Sequence, residues 1–186
     1  MEIEYKNIKA AYETATESEK RLLSNLFPNL SLDKSDNVTE RIKTLTDAML
    51  ELGGGHPFVD EYHLHICQDM SPDLRAYLQL RVICAALNEG WEPQFTENEK
   101  RWYPWYNLLK ESELNDEEDY YPISDCYKSE YRGLVYEYSV SVPPNAAGRL
   151  GSRLCLKTEE LAEYCGKQFI HLWADYLLTP KTCRHD

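Results

Sequence analysis

The sequence predicts an α+β protein with a helical N-terminal half, a small and mainly antiparallel sheet, and an amphipathic helix near the C-terminal end. Apolar residues recur at intervals of three and four through the first half of the chain, which is typical of helices that bury one face. From residue 120 to residue 156 the pattern changes to β-branched and aromatic residues punctuated by Gly and Pro, which favours strands. We therefore expect a helical region over residues 1–95 and a sheet region with a C-terminal helix over 96–186, packed as one compact unit.

The first predicted helix begins after Thr16, which stands three residues before Glu19 at the spacing of a capping box. Pro28 is expected to end this helix because proline cannot continue the helical hydrogen bonding. A second apolar stripe runs from Ile42 to Leu52 and stops at three consecutive glycines that begin at Gly53.

The best-bounded helix of the sequence runs from Ser71 to Gly90. Ser71 suits the N-cap, Pro72 suits the first helical position, and Gly90 suits the C-terminal end. Apolar residues at helical spacing lie between these signals, namely Leu74, Tyr77, Leu78, Val82, Ile83 and Ala86.

The aromatic run Trp102–Tyr106 is predicted to be an edge strand or an extended segment. Pro104 lies inside it, and a proline within a strand cannot donate a ladder hydrogen bond, so it is confined to sheet edges. The acidic residues between Glu111 and Asp119 are interpreted as a solvated loop, since they lack the alternate spacing and the central glycine of a calcium loop.

Two strands are predicted in the following region, one over Gly133–Val142 and one over Arg149–Leu156, joined by an irregular loop. After Leu156 the apolar residues return to helical spacing. Thr158 can cap a final amphipathic helix, which is expected to continue to Thr179–Pro180.

The net charge of the chain limits the kinds of molecule that the protein is expected to bind. The sequence has 32 acidic and 20 basic residues, so its formal net charge is -12. A negative surface repels phosphate backbones and anionic lipid, so we expect no direct contact with nucleic acid and none with a membrane. The same charge suits a basic partner, or mimicry of nucleic acid that blocks a DNA-binding enzyme.

Neither a metal site nor a cofactor site is predicted. The six cysteines are scattered without a C-x-x-C pair, and we expect them to be reduced and mostly buried. His63, His65 and Cys67 stand at alternate positions, which would bring them together on a strand. The surrounding residues favour a helix, which spreads that spacing around its axis, so these side chains are interpreted as ordinary surface and core residues.

Catalytic motifs are also lacking from the sequence. It contains no G-x-S-x-G element, and Gly151-Ser152-Arg153 lacks the lysine and the helix start of a phosphate loop. Adjacent carboxylates such as Glu159 and Glu160 fit the first turn of a helix better than acid–base chemistry. We therefore expect a protein that is not an enzyme.

A contact surface is predicted in the stretch from Tyr120 to Arg149, which holds six tyrosines and four serines. Tyrosine offers a large rigid contact area at low entropic cost, and serine offers adaptable hydrogen bonds. An ordinary antiparallel sheet with one polar face fits the same composition, so the two readings stay open. The candidate binding residues here are Tyr127, Tyr131, Tyr136, Tyr138, Ser139 and Ser141.

The segments Gly133-Leu134-Val135-Tyr136 and Leu150-Gly151-Ser152-Arg153-Leu154-Cys155-Leu156 resemble the closing strands of C-type-lectin-like variable proteins of diversity-generating retroelements. The resemblance implies a C-type-lectin-like sheet that binds ligands without chemistry. It also places further binding residues, Asn145 and Arg149, among the positions that vary in that family.

Longer segments, including Trp102-Tyr103-Pro104-Trp105 and Leu161–Phe169, resemble uncharacterised proteins of gut Bacteroidetes and their phages. That resemblance implies a bacteriophage or prophage protein, located in the bacterial cytoplasm or in the virion. The leading hypothesis is a phage-associated binding protein that recognises another protein or a surface ligand. The alternative is an acidic anti-defence or host-takeover regulator that blocks a basic nucleic-acid-binding partner. The sequence leaves the oligomeric state open.

Overall fold

A computed structural model describes most of the chain, and its helices and sheet confirm the predicted α+β class. The described residues are 5–27, 32, 34–66, 68–94, 96, 99–116, 119–142 and 153–181. Within them lie eight α-helices and a three-stranded antiparallel sheet. The chain divides into two compact units, Met1–Arg41 and Ile42–Asp186.

The first unit contains three helices: α1 Tyr5–Thr14, α2 Glu17–Leu26 and α3 Val38–Arg41. The predicted start of α2 is confirmed, because the Glu19 carboxylate accepts hydrogen bonds of 2.7 Å from the backbone N–H and the hydroxyl of Thr16. Pro28, the predicted stop, lies outside the described residues.

The second unit contains five helices: α4 Leu45–Leu52, α5 Pro57–His65, α6 Pro72–Leu87, α7 Glu159–Gln168 and α8 Ile170–Leu177. α4 begins later than the apolar stripe at Ile42, because the Thr44 hydroxyl accepts from the Asp47 N–H at 3.1 Å and sets the N-terminus there. Ile42 is nevertheless fully buried just ahead of the helix.

α6 is the central helix of the second unit. Its predicted start is confirmed, with Ser71 in an extended conformation at the N-cap and Pro72 at the first position. The chain leaves the helix through Gly90, whose φ of 81° is unfavourable for residues with a side chain. Nearly every residue from Val82 to Leu87 is buried, so α6 is covered on several sides, and α4 and α8 both pack against it.

The sheet has the order β1–β3–β2, with β1 Arg101–Leu109, β2 Tyr121–Pro122 and β3 Gly133–Val142. Both pairings are antiparallel. β1 is an outer strand, as Pro104 predicted. α7 packs against β1 and β3, which joins the sheet to the helices.

The predicted strand over Arg149–Leu156 is not found in the part that the structure describes, which begins at Arg153. Residues 153–156 form a turn and a single bridge in which Leu156 pairs with Trp102. The Leu154 and Cys155 carbonyls are bound by α6 and its C-cap instead of by a strand. The Asn88 side-chain amide donates to the Cys155 carbonyl at 2.9 Å, and the Cys84 thiol donates to the Leu154 carbonyl at 3.7 Å.

The predicted C-terminal helix begins as expected but is broken into two. The Thr158 hydroxyl accepts from the Leu161 N–H at 3.3 Å, which confirms the cap. Phe169 then leaves the helical conformation, with φ of -114° and ψ of 28°, and its side chain is buried. The break lets α7 lie on the sheet while α8 packs on α6.

The acidic segment departs from the predicted loop, since Glu111–Asp116 forms a 3₁₀ helix. Its first turn is held by the Glu113 carboxylate, which accepts from the Lys110 N–H at 2.6 Å. Glu111 and Glu113 are exposed, as expected of a solvated acidic segment.

Candidate contact surface

A β-bulge in β3 divides the predicted contact surface. Trp105 lies opposite Tyr138 and Tyr106 lies opposite Tyr136, so Glu137 is an extra residue with no partner of its own in β1. Without the bulge, the period of two would place Tyr136 and Tyr138 on the same face. With it, the two tyrosines lie on opposite faces of the sheet.

The outward face carries Trp105 and Tyr138, which we term the aromatic pair. Their ring centroids are 6.1 Å apart and their planes differ by 16°, so the rings are stacked. Their residues are 47% and 48% exposed, which leaves about half of each residue's surface in contact with water. Glu137 is exposed beside them.

The inward face carries Tyr136 and Ser139, whose hydroxyls form a 2.8 Å hydrogen bond. The Tyr136 ring meets the edge of Tyr106 at 6.1 Å, and the Lys167 ammonium of α7 lies 5.2 Å from its centroid. Burial raises the pKa of the Tyr136 hydroxyl, and the hydrogen bond with Ser139 opposes part of that rise. Ser139 is buried and Tyr136 is half-buried, so both belong to the packing of the sheet on α7.

Tyr127 and Tyr131, expected at the contact surface, contribute to a different part of the core. Tyr127 is 8% exposed, donates its hydroxyl hydrogen to Asp175 of α8, and has a pKa raised mainly by burial. Tyr131 packs on the same cluster, which includes Leu134 and Leu178. Neither residue presents its ring as a free surface.

The remaining predicted binding residues give little to the surface. Ser141 is half-buried opposite Trp102, and Asn145 and Arg149 lie outside the described residues. Among the six predicted residues that the structure describes, only Tyr138 is exposed. Trp105 was not predicted as a binding residue, although an aromatic residue beside Pro104 on an edge strand is a signal that could have found it.

The surface around the sheet is acidic. From Trp105 to Val142 the sequence has nine acidic and three basic residues, a net charge of -6, which is half of the charge of the whole chain. Glu111, Glu113, Asp119 and Glu137 are all exposed. A cation that approaches the aromatic pair therefore meets a field of favourable sign.

A cleft of about 500 Å³ lies at the N-terminus of α7, with Trp91 and Trp102 in its walls. Its two lysines have partners within the protein. The Lys157 ammonium forms a 2.8 Å ion pair with Glu89, and the Lys100 ammonium lies 5.8 Å from the Trp102 ring centroid. Local packing within the protein accounts for the two tryptophans in the walls of the cleft and for both of these lysine contacts.

Three thiols, from Cys84, Cys155 and Cys165, are buried where α6, α7 and the turn at 153–156 meet. A hydrogen bond with Cys165 and burial raise the pKa of Cys84 well above its usual value, and burial raises the pKa of Cys155 to about 11. Both shifts favour the neutral thiol, which is a poor nucleophile and a poor metal ligand. Within the described residues, no group of three His, Cys, Asp or Glu side chains is arranged to hold a metal ion.

These thiols predict a loss of stability at alkaline pH. Burial raises the pKa of Cys155 to about 11 in the folded protein, against an ordinary value of 9.0. The contribution of this thiol to the free energy of unfolding is therefore complete below pH 9 and is lost as the pH rises through 11. The linkage relation gives a loss of about 2 kcal/mol at pH 11 from this thiol. Urea unfolding between pH 8 and 11 measures it. Cys155→Ala should flatten the decline and Cys126→Ala, at an exposed thiol, should not; equal declines in both variants would contradict the assignment.

Comparison with protein-family models, with curated proteins and with solved structures finds no match to this chain. The helices in the described ranges are each too short or too polar to cross a lipid bilayer.

Proposed function

We propose that this protein is a binding protein without a catalytic role, and that the aromatic pair contacts a positively charged segment of another protein. The observation that supports this most directly is the stacking of Trp105 on Tyr138 with about half of each residue exposed to water. Trp and Tyr are enriched among the residues that dominate the energy of protein interfaces.

The sheet holds these two side chains in place before any partner arrives. Each belongs to a strand of nine or ten residues, and they lie directly opposite each other across the β1–β3 ladder. Stacking limits the rotamers of both rings, so less side-chain entropy remains to be lost on binding. A rigid exposed aromatic pair is therefore better suited to recognition than two isolated rings on a loop.

The expected partner chemistry follows from charge. The face of an aromatic ring attracts Lys and Arg side chains, and the attraction strengthens as the cation loses water. Glu137 lies next to the pair, and the stretch that contains it has a net charge of -6. Complementary charge increases the association rate and selects against acidic partners. The sequence resemblances favour a bacteriophage protein that meets this partner in the virion or in the bacterial host.

The proposal predicts a loss of binding when the pair is removed. Ten-residue peptides from a random displayed library, selected on the immobilised protein, should be enriched in Lys and Arg. The affinity of the best peptide, measured by fluorescence anisotropy, should fall at least tenfold in Trp105→Ala and in Tyr138→Ala, since each change removes a large contact area. Leu64→Ala is the control, because Leu64 is an exposed apolar residue on α5.

Two results would contradict this proposal. One is a selection without enrichment of basic residues, and the other is an equal affinity of the wild type and both alanine variants. Both variants must also unfold at the same urea concentration as the wild type, because a partly unfolded variant would lose binding for another reason.

The acidic stretch also favours a second candidate, a regulator that occupies the basic channel of a nucleic-acid-binding protein. In that case affinity would depend on the number of carboxylates and would fall steeply with salt. Reversal of Glu111 and Asp119 to Lys would then weaken binding more than Tyr138→Ala does. The opposite order supports the aromatic pair.

A further inference from the structure

The outer edge of β1 has alternating backbone groups whose direction can be determined from the hydrogen bonds. The Trp102 N–H donates to the Leu156 carbonyl at 3.0 Å, and the Leu156 N–H donates to the Trp102 carbonyl at 2.9 Å. Trp102 therefore turns its backbone groups away from β3. Because the direction alternates along a strand, Pro104, Tyr106 and Leu108 turn theirs the same way.

The other end of β1 agrees with this assignment. The Leu109 carbonyl accepts from the Arg132 N–H at 2.8 Å, on the side of β3. In β1, the backbone N–H and C=O groups of the odd-numbered residues thus point toward β3, and those of the even-numbered residues point toward the outer edge. The bulge does not disturb this order in β1, because the extra residue belongs to β3.

The open part of this edge is short and well bounded. Pro104 has no N–H to offer, so pairing that starts at Trp102 is interrupted there. The Lys110 N–H is bound to the Glu113 carboxylate at 2.6 Å. Between these limits, Tyr106 and Leu108 each turn one N–H and one C=O outward, and in the described part of the chain no backbone group pairs with them on this edge.

The side chains next to this edge leave room for another strand. Asn107 and Leu108 are exposed, and Leu108 is 39% exposed although its residue type favours burial. Trp105, half of the aromatic pair, lies one residue before Tyr106 on the outward face. A strand added to this edge would place alternate side chains beside the Trp105 ring.

We infer that the partner binds by strand addition, with an extended basic segment of about five residues forming backbone hydrogen bonds to Tyr106 and Leu108. Two outward residues, each with one donor and one acceptor, can exchange four hydrogen bonds with such a segment. Alternate Lys or Arg side chains would then lie beside the Trp105 ring of the aromatic pair, and the acidic 3₁₀ helix at the end of β1 would attract further cations. This inference rests on the proposed function, and it adds the conformation of the partner.

A basic partner suits this edge better than a second copy of this chain does. Pairing two β1 edges would bring together two chains that each carry a charge of -12, and each has Glu111 and Glu113 at the end of the strand. Like charges disfavour that pairing. A dimer remains one of the outcomes that the experiment distinguishes.

The test uses one pair of variants at Leu108 and a blocked seven-residue peptide of alternating Lys and Val. Leu108→Pro removes the outward N–H while breaking no hydrogen bond to β3, and the preceding residue is already extended, as proline requires. Leu108→Val keeps the N–H and is the matched control. We expect Leu108→Pro to weaken binding of the peptide at least tenfold and Leu108→Val to change it less than twofold, with similar unfolding in urea.

Amide hydrogen exchange gives a readout that side-chain docking would not produce. Exchange at Tyr106 and Leu108 should slow at least tenfold when the peptide binds, whereas the amides of Trp105 and Asn107, which face β3, should change little. Equal binding by Leu108→Pro and Leu108→Val overturns the inference. If Trp105→Ala still weakens binding in that case, the proposed function survives and only strand addition fails.

Two further results would also overturn strand addition by a basic partner. Failure of the wild type to bind the Lys–Val peptide is the first. The second is a wild-type dimer in analytical ultracentrifugation that Leu108→Pro converts to a monomer, because the edge would then be an interface between copies of the chain.

Discussion

Tyr136→Ala is expected to lower the free energy of unfolding by about 3 kcal/mol, whereas Tyr138→Ala, two residues further on, should lower it by less than about 1 kcal/mol. Tyr136 packs on Tyr106 and beneath α7, and its hydroxyl is bonded to Ser139. Tyr138 has about half of its surface in water and contacts Trp105 on the outward face. Truncation of the first leaves a cavity, and truncation of the second does not.

Urea unfolding followed by tryptophan fluorescence measures this difference in the second unit, which contains all four tryptophans. Tyr136→Phe is the matched control. It keeps the ring and removes one hydroxyl hydrogen bond, so a loss of about 1 kcal/mol is expected. Similar losses from Tyr136→Ala and Tyr138→Ala would mean that both rings share one face and that the bulge at Glu137 is absent.

The bulge also explains why the sequence alone could not assign Tyr136 and Tyr138 to opposite faces of the sheet. Tyr136 and Tyr138 stand at the spacing that puts strand residues on one face, and nothing in the residues between them marks an insertion. The position of the extra residue depends on how β3 aligns with β1, which lies more than twenty residues earlier in the chain. Pairing over such a separation is a tertiary property, so composition identified the strand but not its orientation.

Local signals predicted the helices more successfully. Thr16 and Thr158 each form a hydrogen bond within one turn of their own helix, and Ser71 precedes Pro72 at the start of α6. The N-termini that they mark could therefore be read from three or four neighbouring residues. The α+β class followed from the same signals together with the change of pattern near residue 120. These features depend on short-range hydrogen bonds and on the side-chain period.

Two features that depend on distant contacts were not predictable in this way. Residues 153–156 have strand-like composition, but Asn88 and Cys84, about 70 positions earlier, bind the Cys155 and Leu154 carbonyls and hold the segment in a turn. Phe169 fits the apolar stripe of a continuous helix, yet it is buried at the break between α7 and α8. In both places tertiary packing outweighs local propensity and determines the conformation of the backbone.

Gly166→Val is expected to lower the free energy of unfolding by about 3 kcal/mol, because α7 lies against the sheet at this glycine with no space for a side chain. A Cβ atom there would lie 2.7 Å from the Pro104 Cβ and 2.9 Å from the Tyr136 ring. The Tyr106 hydroxyl also donates to the Gly166 carbonyl at 2.9 Å, so α7 cannot move away without loss of that bond. Gly166→Ala should cost less, since better helix propensity offsets about 1 kcal/mol of the overlap.

Gly54→Ala is the matched control, because a Cβ at Gly54 would meet nothing within 4 Å and its φ is not positive. The free energy of unfolding of the Gly54→Ala variant should stay within about 0.5 kcal/mol of the wild-type value. A double variant with Gly166→Ala and Tyr136→Ala tests the mechanism, since removal of the ring relieves part of the overlap. The combined loss should therefore be smaller than the sum of the single losses. Additive losses, or a Gly166→Val protein as stable as Gly54→Ala, would contradict close packing of α7 on the β1–β3 pair.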